Sequence, residues 1–493
     1  MKIRILLTIL LSIVVTSPFF AQKSNIFLDR NYWKSNPSIE NIKQKITEGN
    51  DVSELDRFAF DAVSWAFIEK VDNKAIKFLL SQDGNGVNKL THDGRSYIFW
   101  AAYKDNLEMM SYLLNKGAKT DIIDSHGYSV LNFAAVTGQT NTKVYDFLIN
   151  RGANPSIEKN HDGANALLLV APFLTDGEIV DYFSKHNVSL KSTDASGNGI
   201  LAYAARGGNK EFLNWLINKN VVMDKNTMIF TSQGTRGKKN TLDIYKFLEN
   251  KGIEVNVVDD QGRNPLHSVA YSVEDLEILK YFVDRDVNVN QEDESGRTPF
   301  MNAANRNSLD VVSFLAGYVN DVNLADNKGR TALAMAVNRN DISIIEYLIE
   351  KGADVKAVDK EGNNLGYYLL DTFNAQKTEV FTNKLNLLKE HGLDITETQG
   401  KGKTLFHLAI ERNNLELLKH LQKFDIDINA KNDDGLTALH FAAMKAKSED
   451  MLKYLISRGA DKTAKTDFDE SVYELAKENE LLQSNNVNIN FLK

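Results

Sequence analysis

Histidine is the side chain that most readily does acid-base or metal chemistry near neutral pH, and the chain has nine. Three of them, His92, His126 and His161, follow one another at intervals of 34 and 35 residues. Such a row could respond to pH or bind a metal ion. We expect exposed polar turn residues instead, because turns lie on the surface and are rich in such side chains.

Three other histidines, His267, His407 and His440, each follow an apolar residue at the same place in a recurring phrase. Their spacing follows the repetition of that phrase, and no two of them have the spacing of paired metal ligands. The pattern therefore predicts a structural role for these three imidazoles.

Two further patterns carry possible chemistry. The acidic pairs Asp259-Asp260 and Asp433-Asp434 suggest the two carboxylates of a glycosidase, but they recur at a turn position where Asp fixes the backbone. The segment Gly234–Lys239 is similar to a phosphate loop, yet two residues separate its glycines where four are needed, so we interpret it as a basic surface loop. With no cysteine and no G-x-S-x-G serine, the sequence predicts no catalytic site, cofactor or metal site.

The recurring phrase is an Asp or Asn, two polar residues, Gly, an Arg or Leu, a Thr or Asn, and then an apolar run. It is clearest in four copies, at 259–267, 293–300, 326–333 and 432–440. Here the chain resembles the ankyrin repeat family, whose period is about 33 residues and whose signature is T-P-L-H-x-A. The resemblance implies stacked helix pairs with a concave face, histidines that bridge neighbouring turns, and a surface for holding another protein.

The turn glycines define the register of the repeats. They are Gly94, Gly127, Gly163, Gly197, Gly262, Gly296, Gly329, Gly362, Gly402 and Gly435. Gly197 and Gly262 are two periods apart, so one repeat lies hidden between them, and about seven extra residues are expected near Thr372 to Thr382. In each repeat a short alanine-rich helix precedes a helix with larger apolar residues. We therefore predict an all-α ankyrin-repeat solenoid of about 12 helix-turn-helix repeats, with short β-turn fingers and half-repeat caps at both ends.

The N-terminus has the pattern of a secretory signal peptide. Lys2 and Arg4 precede the apolar run from Ile5 to Val15, which is too short to span a bilayer, and Ala21 supplies a small residue for cleavage. An uncleaved membrane anchor is the alternative. The expected segments are the signal peptide at 1–21, an N-terminal segment with a capping half repeat at 22–57, the solenoid at 58–465, a capping helix at 466–484 and a tail at 485–493.

Basic residues recur at two repeat positions although the chain has a net charge of −8, a balance that does not favour nucleic acid. Five directly follow a turn glycine: Arg95, Arg263, Arg297, Arg330 and Lys403. Six lie near the end of the short helix: Lys104, Arg206, Arg306, Arg339, Arg412 and Lys445. Three tyrosines lie at comparable places: Tyr103, Tyr128 and Tyr271. One hypothesis is a positive concave stripe that binds an acidic protein surface, with the tyrosines as anchors. The alternative is that these residues serve the framework, with each arginine pairing with the Asp of a neighbouring turn.

These patterns favour a non-catalytic scaffold, exported to the periplasm of a bacterium, that binds another protein through its concave face and turn tips. A secreted effector that binds a host protein is one alternative, and a periplasmic enzyme or glycan-binding protein is another. The missing catalytic constellation argues against the last of these.

Overall fold

A computed structural model describes residues 25–493, so the predicted leader at 1–21 lies outside the described residues. This part of the chain folds into 28 α-helices and, apart from isolated two-residue bridges, contains no β-structure. Most of the helices pack in pairs of neighbours along the chain, and these pairs follow the predicted repeats. The prediction of an all-helical repeat fold is confirmed.

The first helix of each pair is short and contains small residues. Twelve helices occupy this position: α3 Ala62–Ile68, α5 Tyr97–Tyr103, α7 Val130–Val136, α9 Ala166–Val170, α11 Ile200–Ala205, α13 Thr227–Gln233, α15 Pro265–Ser272, α17 Pro299–Arg306, α19 Ala332–Arg339, α21 Leu365–Leu369, α23 Leu405–Glu411 and α25 Ala438–Lys445. Alanines such as Ala134 and Ala303 are fully buried in them. Their small volume lets neighbouring first helices pack closely.

The second helix of each pair buries larger side chains, including Ile345 and Leu348. The twelve are α4 Asn73–Leu80, α6 Leu107–Asn115, α8 Thr142–Ile149, α10 Glu178–Lys185, α12 Lys210–Asn218, α14 Leu242–Asn250, α16 Leu276–Val283, α18 Leu309–Ala316, α20 Ile342–Glu350, α22 Thr378–Glu390, α24 Leu415–Leu421 and α26 Glu449–Ser457. None of the helices within residues 25–493 combines the length and apolar character that a bilayer crossing requires.

Both ends of the described chain carry one short helix more than the predicted half repeats. At the N-terminal end α1 (Arg30–Lys34) precedes the predicted α2 (Ile39–Thr47), and at the C-terminal end α28 (Glu480–Ser484) follows the predicted α27 (Val472–Glu478). The tail then folds back against α27, where Leu492 is buried. These additions cover the apolar faces of the terminal repeats.

The described helices belong to two packing units. Among the described residues, the first unit comprises 25–170 together with 178–189, and its first helices α3, α5, α7 and α9 pack in sequence. The second unit comprises 171–177 and 190–493, in which the first helices from α11 to α25, followed by α27, pack one on the next. Each repeat therefore buries its apolar face mainly against its neighbours within the unit.

Most turns before first helices are held by a polar residue, in several cases Asp, and by a glycine. Asp326 Oδ1 accepts hydrogen bonds from the backbone N–H groups of Lys328 (2.9 Å) and Arg330 (3.0 Å). Gly329 has a φ of +81°, and a Cβ there would lie 2.5 Å from the backbone nitrogen of Lys360 in the next turn. Glycine is therefore required both by the left-handed backbone and by the close approach of the following turn.

Asparagines between the two helices of a pair join several repeats to the one before. Asn307 Nδ2 donates to the carbonyls of Ala270 (2.7 Å) and Val273 (3.0 Å), at the C-terminal end of α15. The same kind of bond is made by the side chains of Asn240, Asn340 and Asn479, and by Gln139 in the first unit. These amides satisfy helix-end carbonyls that would otherwise be buried without a donor.

The repeat of α21 and α22 uses a lysine where these repeats use an amide. Lys384 of α22 is buried, and its Nζ donates to the carbonyl of Val337 in α19 at 3.0 Å. Burial lowers the pKa of this lysine. The helix α22 has thirteen residues, so together with the link that precedes it this repeat contains the extra residues expected near Thr372 to Thr382.

Candidate functional site

The arginines that follow turn glycines in the second unit contact carboxylates of the turns. Arg263 binds Asp259 Oδ2 through Nε (2.9 Å) and NH2 (2.8 Å), and Arg330 binds Asp326 Oδ2 at 2.9 and 2.6 Å. Arg297 Nε lies 3.7 Å from the same Asp326 oxygen. Burial opposes ionisation of Asp326, but hydrogen bonds from Arg330 and the backbone hold its pKa below the usual value. These arginines stabilise the turns.

Arg95 holds a similar position in the first unit and is almost completely buried, with 7% of its surface exposed. Its Nε donates to Asp124 at 2.7 Å, and its NH1 lies 3.0 Å from Asp93. The guanidinium also lies 4.3 Å from the ring centre of Phe133. A side chain enclosed in this way serves packing between repeats and is not available to a partner.

The basic residues of the C-terminal repeats are neutralised by two carboxylates. Lys403 Nζ lies 2.7 Å from Glu411 Oε1, and Lys445 Nζ lies 3.7 Å from the same atom. Arg412 donates to Asp371 Oδ1 through Nε (3.0 Å) and NH2 (2.9 Å). The positive charge predicted for this region is therefore largely cancelled.

The predicted residues of the first unit other than Arg95 are half-buried by ring contacts. Lys104 Nζ lies 4.3 Å from the ring centre of Tyr103, which meets Phe133 edge-on at 6.2 Å. The ring of Tyr128 lies 6.3 Å from that of His126. These tyrosines contribute to packing between side chains, and only part of each ring faces solvent.

Arg306 and Arg339 differ from the other predicted cations. They end the consecutive first helices α17 and α19, which pack together, and both side chains are exposed. Arg306 NH1 donates to the Tyr271 hydroxyl at 3.3 Å, and Arg339 Nε donates to Asn338 Oδ1 at 3.3 Å. Within residues 25–493 no carboxylate lies within 4.0 Å of either guanidinium. Their charge is available to a ligand.

Two residues of the segment Gly234–Lys239, which the sequence analysis interpreted as a basic surface loop and did not assign to the binding stripe, line the same groove as Arg306. Arg236 and Lys239 belong to the link between α13 and α14, and both are exposed. Arg206, a predicted residue, donates from Nε to the carbonyl of Gly234 at the base of this link (3.1 Å). The unusual length of the link was the signal that could have placed these residues near the end of α17.

The three histidines of the recurring phrase bridge neighbouring repeats, as the family resemblance implied. In each, Nδ1 accepts from the backbone N–H of the residue three positions earlier, at 3.0 to 3.1 Å. The Nε2 atoms then donate to carbonyls of the next repeat: His267 to Arg297 (3.1 Å), His407 to Leu436 (2.9 Å) and His440 to Ala464 (3.1 Å). Burial lowers the pKa of all three imidazoles, which favours this neutral form.

The row of turn histidines in the first unit centres on one carboxylate. His92 and His126 place their Nε2 atoms 3.3 and 3.2 Å from Asp93 Oδ2, which Arg95 also contacts. His161 lies instead against Gly127. In the part of the chain that the structure describes, no three His, Asp or Glu side chains are grouped as metal ligands.

Family comparisons agree with the repeat geometry. The model for ankyrin repeats, described as three copies, matches residues 63–159, 167–293, 235–323, 268–359 and 375–466. These matches cover most of the chain, so the protein belongs to the ankyrin repeat family. Membership implies protein partners, and the family is usually non-catalytic.

Curated relatives share only part of this architecture. The chain is 43% identical over 58 residues to the Notch-regulated ankyrin repeat-containing protein of Homo sapiens, a match covering 12% of this chain and 50% of that protein. It is 39% identical over 66 residues to protein phosphatase 1 regulatory subunit 27 of Mus musculus (13% and 42%), and 28% identical over 100 residues to alpha-latrotoxin-Lg1a of Latrodectus geometricus (20% and 7%). The matches thus span no more than half the length of these relatives.

Proposed function

We propose that this protein is a non-catalytic, exported scaffold that binds an acidic surface of another protein through basic side chains at the ends of its first helices. The observation that carries the proposal is the pair Arg306 and Arg339, which are exposed in consecutive repeats and lack a carboxylate neighbour within residues 25–493. Exposed cations at equivalent positions of stacked repeats present charge at regular intervals, which suits an extended acidic partner.

Export is the second element of the proposal and rests on the leader at 1–21. Fractionation of cells that make the full chain should find it in the periplasm with an N-terminus at Gln22. Protein found in the external medium would favour the secreted effector instead. Intact leader in the membrane fraction would contradict cleavage.

Photo-crosslinking in the native compartment tests the binding face. A crosslinking amino acid at Asn305, beside Arg306, should capture one acidic protein, whereas the same amino acid at the exposed Lys246 of the second helix α14 should not. The double variant Arg306→Glu/Arg339→Glu should lose the captured protein because both contacts become repulsive. Its matched control is Lys246→Glu/Lys453→Glu, which reverses two exposed charges on second helices.

The crosslinking experiment also discriminates against the other functions. Equal capture by the Arg306→Glu/Arg339→Glu variant, with an unchanged circular dichroism spectrum and melting temperature, would contradict binding through this face. Turnover of a small molecule by the purified chain would favour the enzyme alternative.

A further inference from the structure

The link between α13 and α14 is longer than the equivalent links of neighbouring repeats. It comprises residues 234–241, whereas only Asn307 and Ser308 separate α17 from α18. Thr235 and Lys238 exchange backbone hydrogen bonds, with N to O distances of 2.9 and 3.2 Å, and Gly237 between them has a φ of +89°. The link therefore forms a tight hairpin, which we call the 234–239 hairpin.

The hairpin is fixed to the preceding repeat on both sides. Arg206 Nε donates to Gly234 O, and Lys238 Nζ donates to Gly207 O at 2.8 Å. Just after the hairpin, Asn240 Nδ2 donates to the carbonyl of Ala205 at 2.9 Å. These contacts hold the base of the hairpin in place, so the side chains that it carries are presented in a defined region.

A groove of about 770 Å³ lies between the hairpin and the C-terminal ends of α15 and α17. Its lining includes the cations Arg236, Lys239 and Arg306, and Glu274 is its one acidic residue. Within residues 25–493, none of the three cations has a carboxylate within 4.0 Å. The groove therefore has an excess of positive charge that the described protein does not neutralise.

The cations of the groove are close enough to influence one another. Although the Lys239 side chain is exposed overall, partial desolvation of its ammonium group lowers the pKa, and the positive charges of Arg206 and Arg306 lower it further. A bound anion would relieve this mutual repulsion. Self-repulsion of this kind has a cost in the free protein, and an anionic ligand offsets that cost on binding.

The groove also offers oriented hydrogen-bond donors. The Arg306 guanidinium lies 5.4 Å from the ring centre of Tyr271, and its NH1 donates to the Tyr271 hydroxyl oxygen. That hydroxyl keeps its own proton available for a ligand. Two guanidinium groups, an ammonium group and a phenol together match the several acceptor oxygens of a phosphate group.

We propose that this groove binds a phosphate group with two negative charges, either on a free compound or on a phosphorylated residue of a partner. Three cations against one carboxylate favour a dianion over a single carboxylate. The inference rests on the proposed scaffold function only where a partner protein carries the phosphate.

Calorimetric titration of the mature chain with inorganic phosphate, in a low-salt buffer at pH 8, tests the site directly. Lys239→Gln and Arg306→Gln should each weaken binding roughly tenfold or more, because each removes a charged donor. Lys246→Gln, which removes an exposed lysine of α14 outside the groove lining, should leave phosphate binding unchanged. No binding by the natural chain, or equal loss in all three variants, would overturn the site.

Peptide titrations then distinguish the two sources of the phosphate. A phosphoserine peptide that binds more tightly than inorganic phosphate assigns the group to a protein, and equal affinity assigns it to a free compound. A matched serine peptide that binds as tightly as the phosphoserine peptide would overturn the proposal. If the chain binds no phosphate but the crosslinking amino acid at Asn305 still captures a protein, the phosphate site is wrong and the scaffold function is unaffected.

Discussion

The middle and C-terminal repeats of the second unit carry similar basic residues but differ in their carboxylates. In the middle repeats, Arg306 and Arg339 are exposed and have no carboxylate neighbour in the described chain. In the C-terminal repeats, Arg412 binds Asp371, and Lys403 and Lys445 share Glu411. The position of a cation in a repeat therefore does not assign its role, since the neighbouring acid decides whether its charge remains available.

The repeat of α21 and α22 also differs from the middle repeats in how it is joined to the preceding repeat. Asn307 and Asn340 use neutral amides in the middle repeats, whereas Lys384 uses an ammonium group in the repeat of α21 and α22. An amide satisfies two carbonyls without burying a charge, and the lysine satisfies one carbonyl at the cost of partial desolvation. The middle repeats should therefore depend most on their asparagines.

The largest effect on stability is expected from Asn307→Ala. The change leaves the carbonyls of Ala270 and Val273 without their side-chain donor, and we expect a loss of about 2–4 kcal/mol in the free energy of unfolding. Urea unfolding followed by circular dichroism measures it. Asn250→Ala, at an exposed position at the end of α14, is the control and should change stability by less than about 0.5 kcal/mol. Similar losses in both variants would contradict the role of the amide.

Acid should affect the C-terminal repeats more than the middle ones. Burial holds the pKa of His267, His407 and His440 below the ordinary 6.5, so the unfolded chain binds protons more readily than the folded chain. The stability linked to these groups is present above pH 6.5 and decreases as the pH falls from there through the folded pKa values.

Histidine variants test whether the C-terminal repeats lose more stability in acid than the middle repeats. His407→Gln/His440→Gln should reduce the loss of unfolding free energy between pH 7 and pH 5 more than His267→Gln, because it removes two such groups instead of one. Urea unfolding at each pH gives the comparison, with exposed His391→Gln as the control. An acid dependence that is the same in all variants would assign it to other groups.

The smallest effect on stability is expected from Asp371→Asn/Glu411→Gln, which removes the carboxylates of Arg412, Lys403 and Lys445 and makes these cations resemble Arg306 and Arg339. Partly exposed ion pairs contribute little, so the free energy of unfolding should fall by less than about 1 kcal/mol per pair. The freed cations should nevertheless extend the binding surface. A crosslinking amino acid at exposed Met444 should then capture the acidic partner only in the double variant.

The fold could be predicted from sequence because the turn phrase and the alternation of small and large apolar residues recur with one period. About twelve helix pairs followed from that period, and the bridging role of the three histidines followed from the family resemblance. The roles of the basic residues could not be predicted in this way. The Arg412 to Asp371 contact joins residues 41 positions apart, across a repeat of irregular length, so a fixed register does not bring them together.

The groove beside the 234–239 hairpin escaped prediction for a related reason. Its composition was visible in the sequence, but a periodic register assigns no position to residues inserted between two helices. Likewise, Lys384 lies on a second helix, where the repeat pattern suggests an exposed lysine. In the elongated α22 its ammonium group is instead buried and donates to the carbonyl of Val337 in the preceding repeat. The contacts of inserted residues therefore cannot be predicted from the repeat pattern.

The histidine and asparagine bonds point in opposite directions along the chain, and this opposition has a mechanical consequence. His267 donates forward to Arg297, while Asn307 of that following repeat donates back to Ala270. Separating two such repeats therefore requires both hydrogen bonds to break together. Amide protons on the two sides of the junction should therefore exchange with solvent together, in steps that release adjacent repeats as a pair.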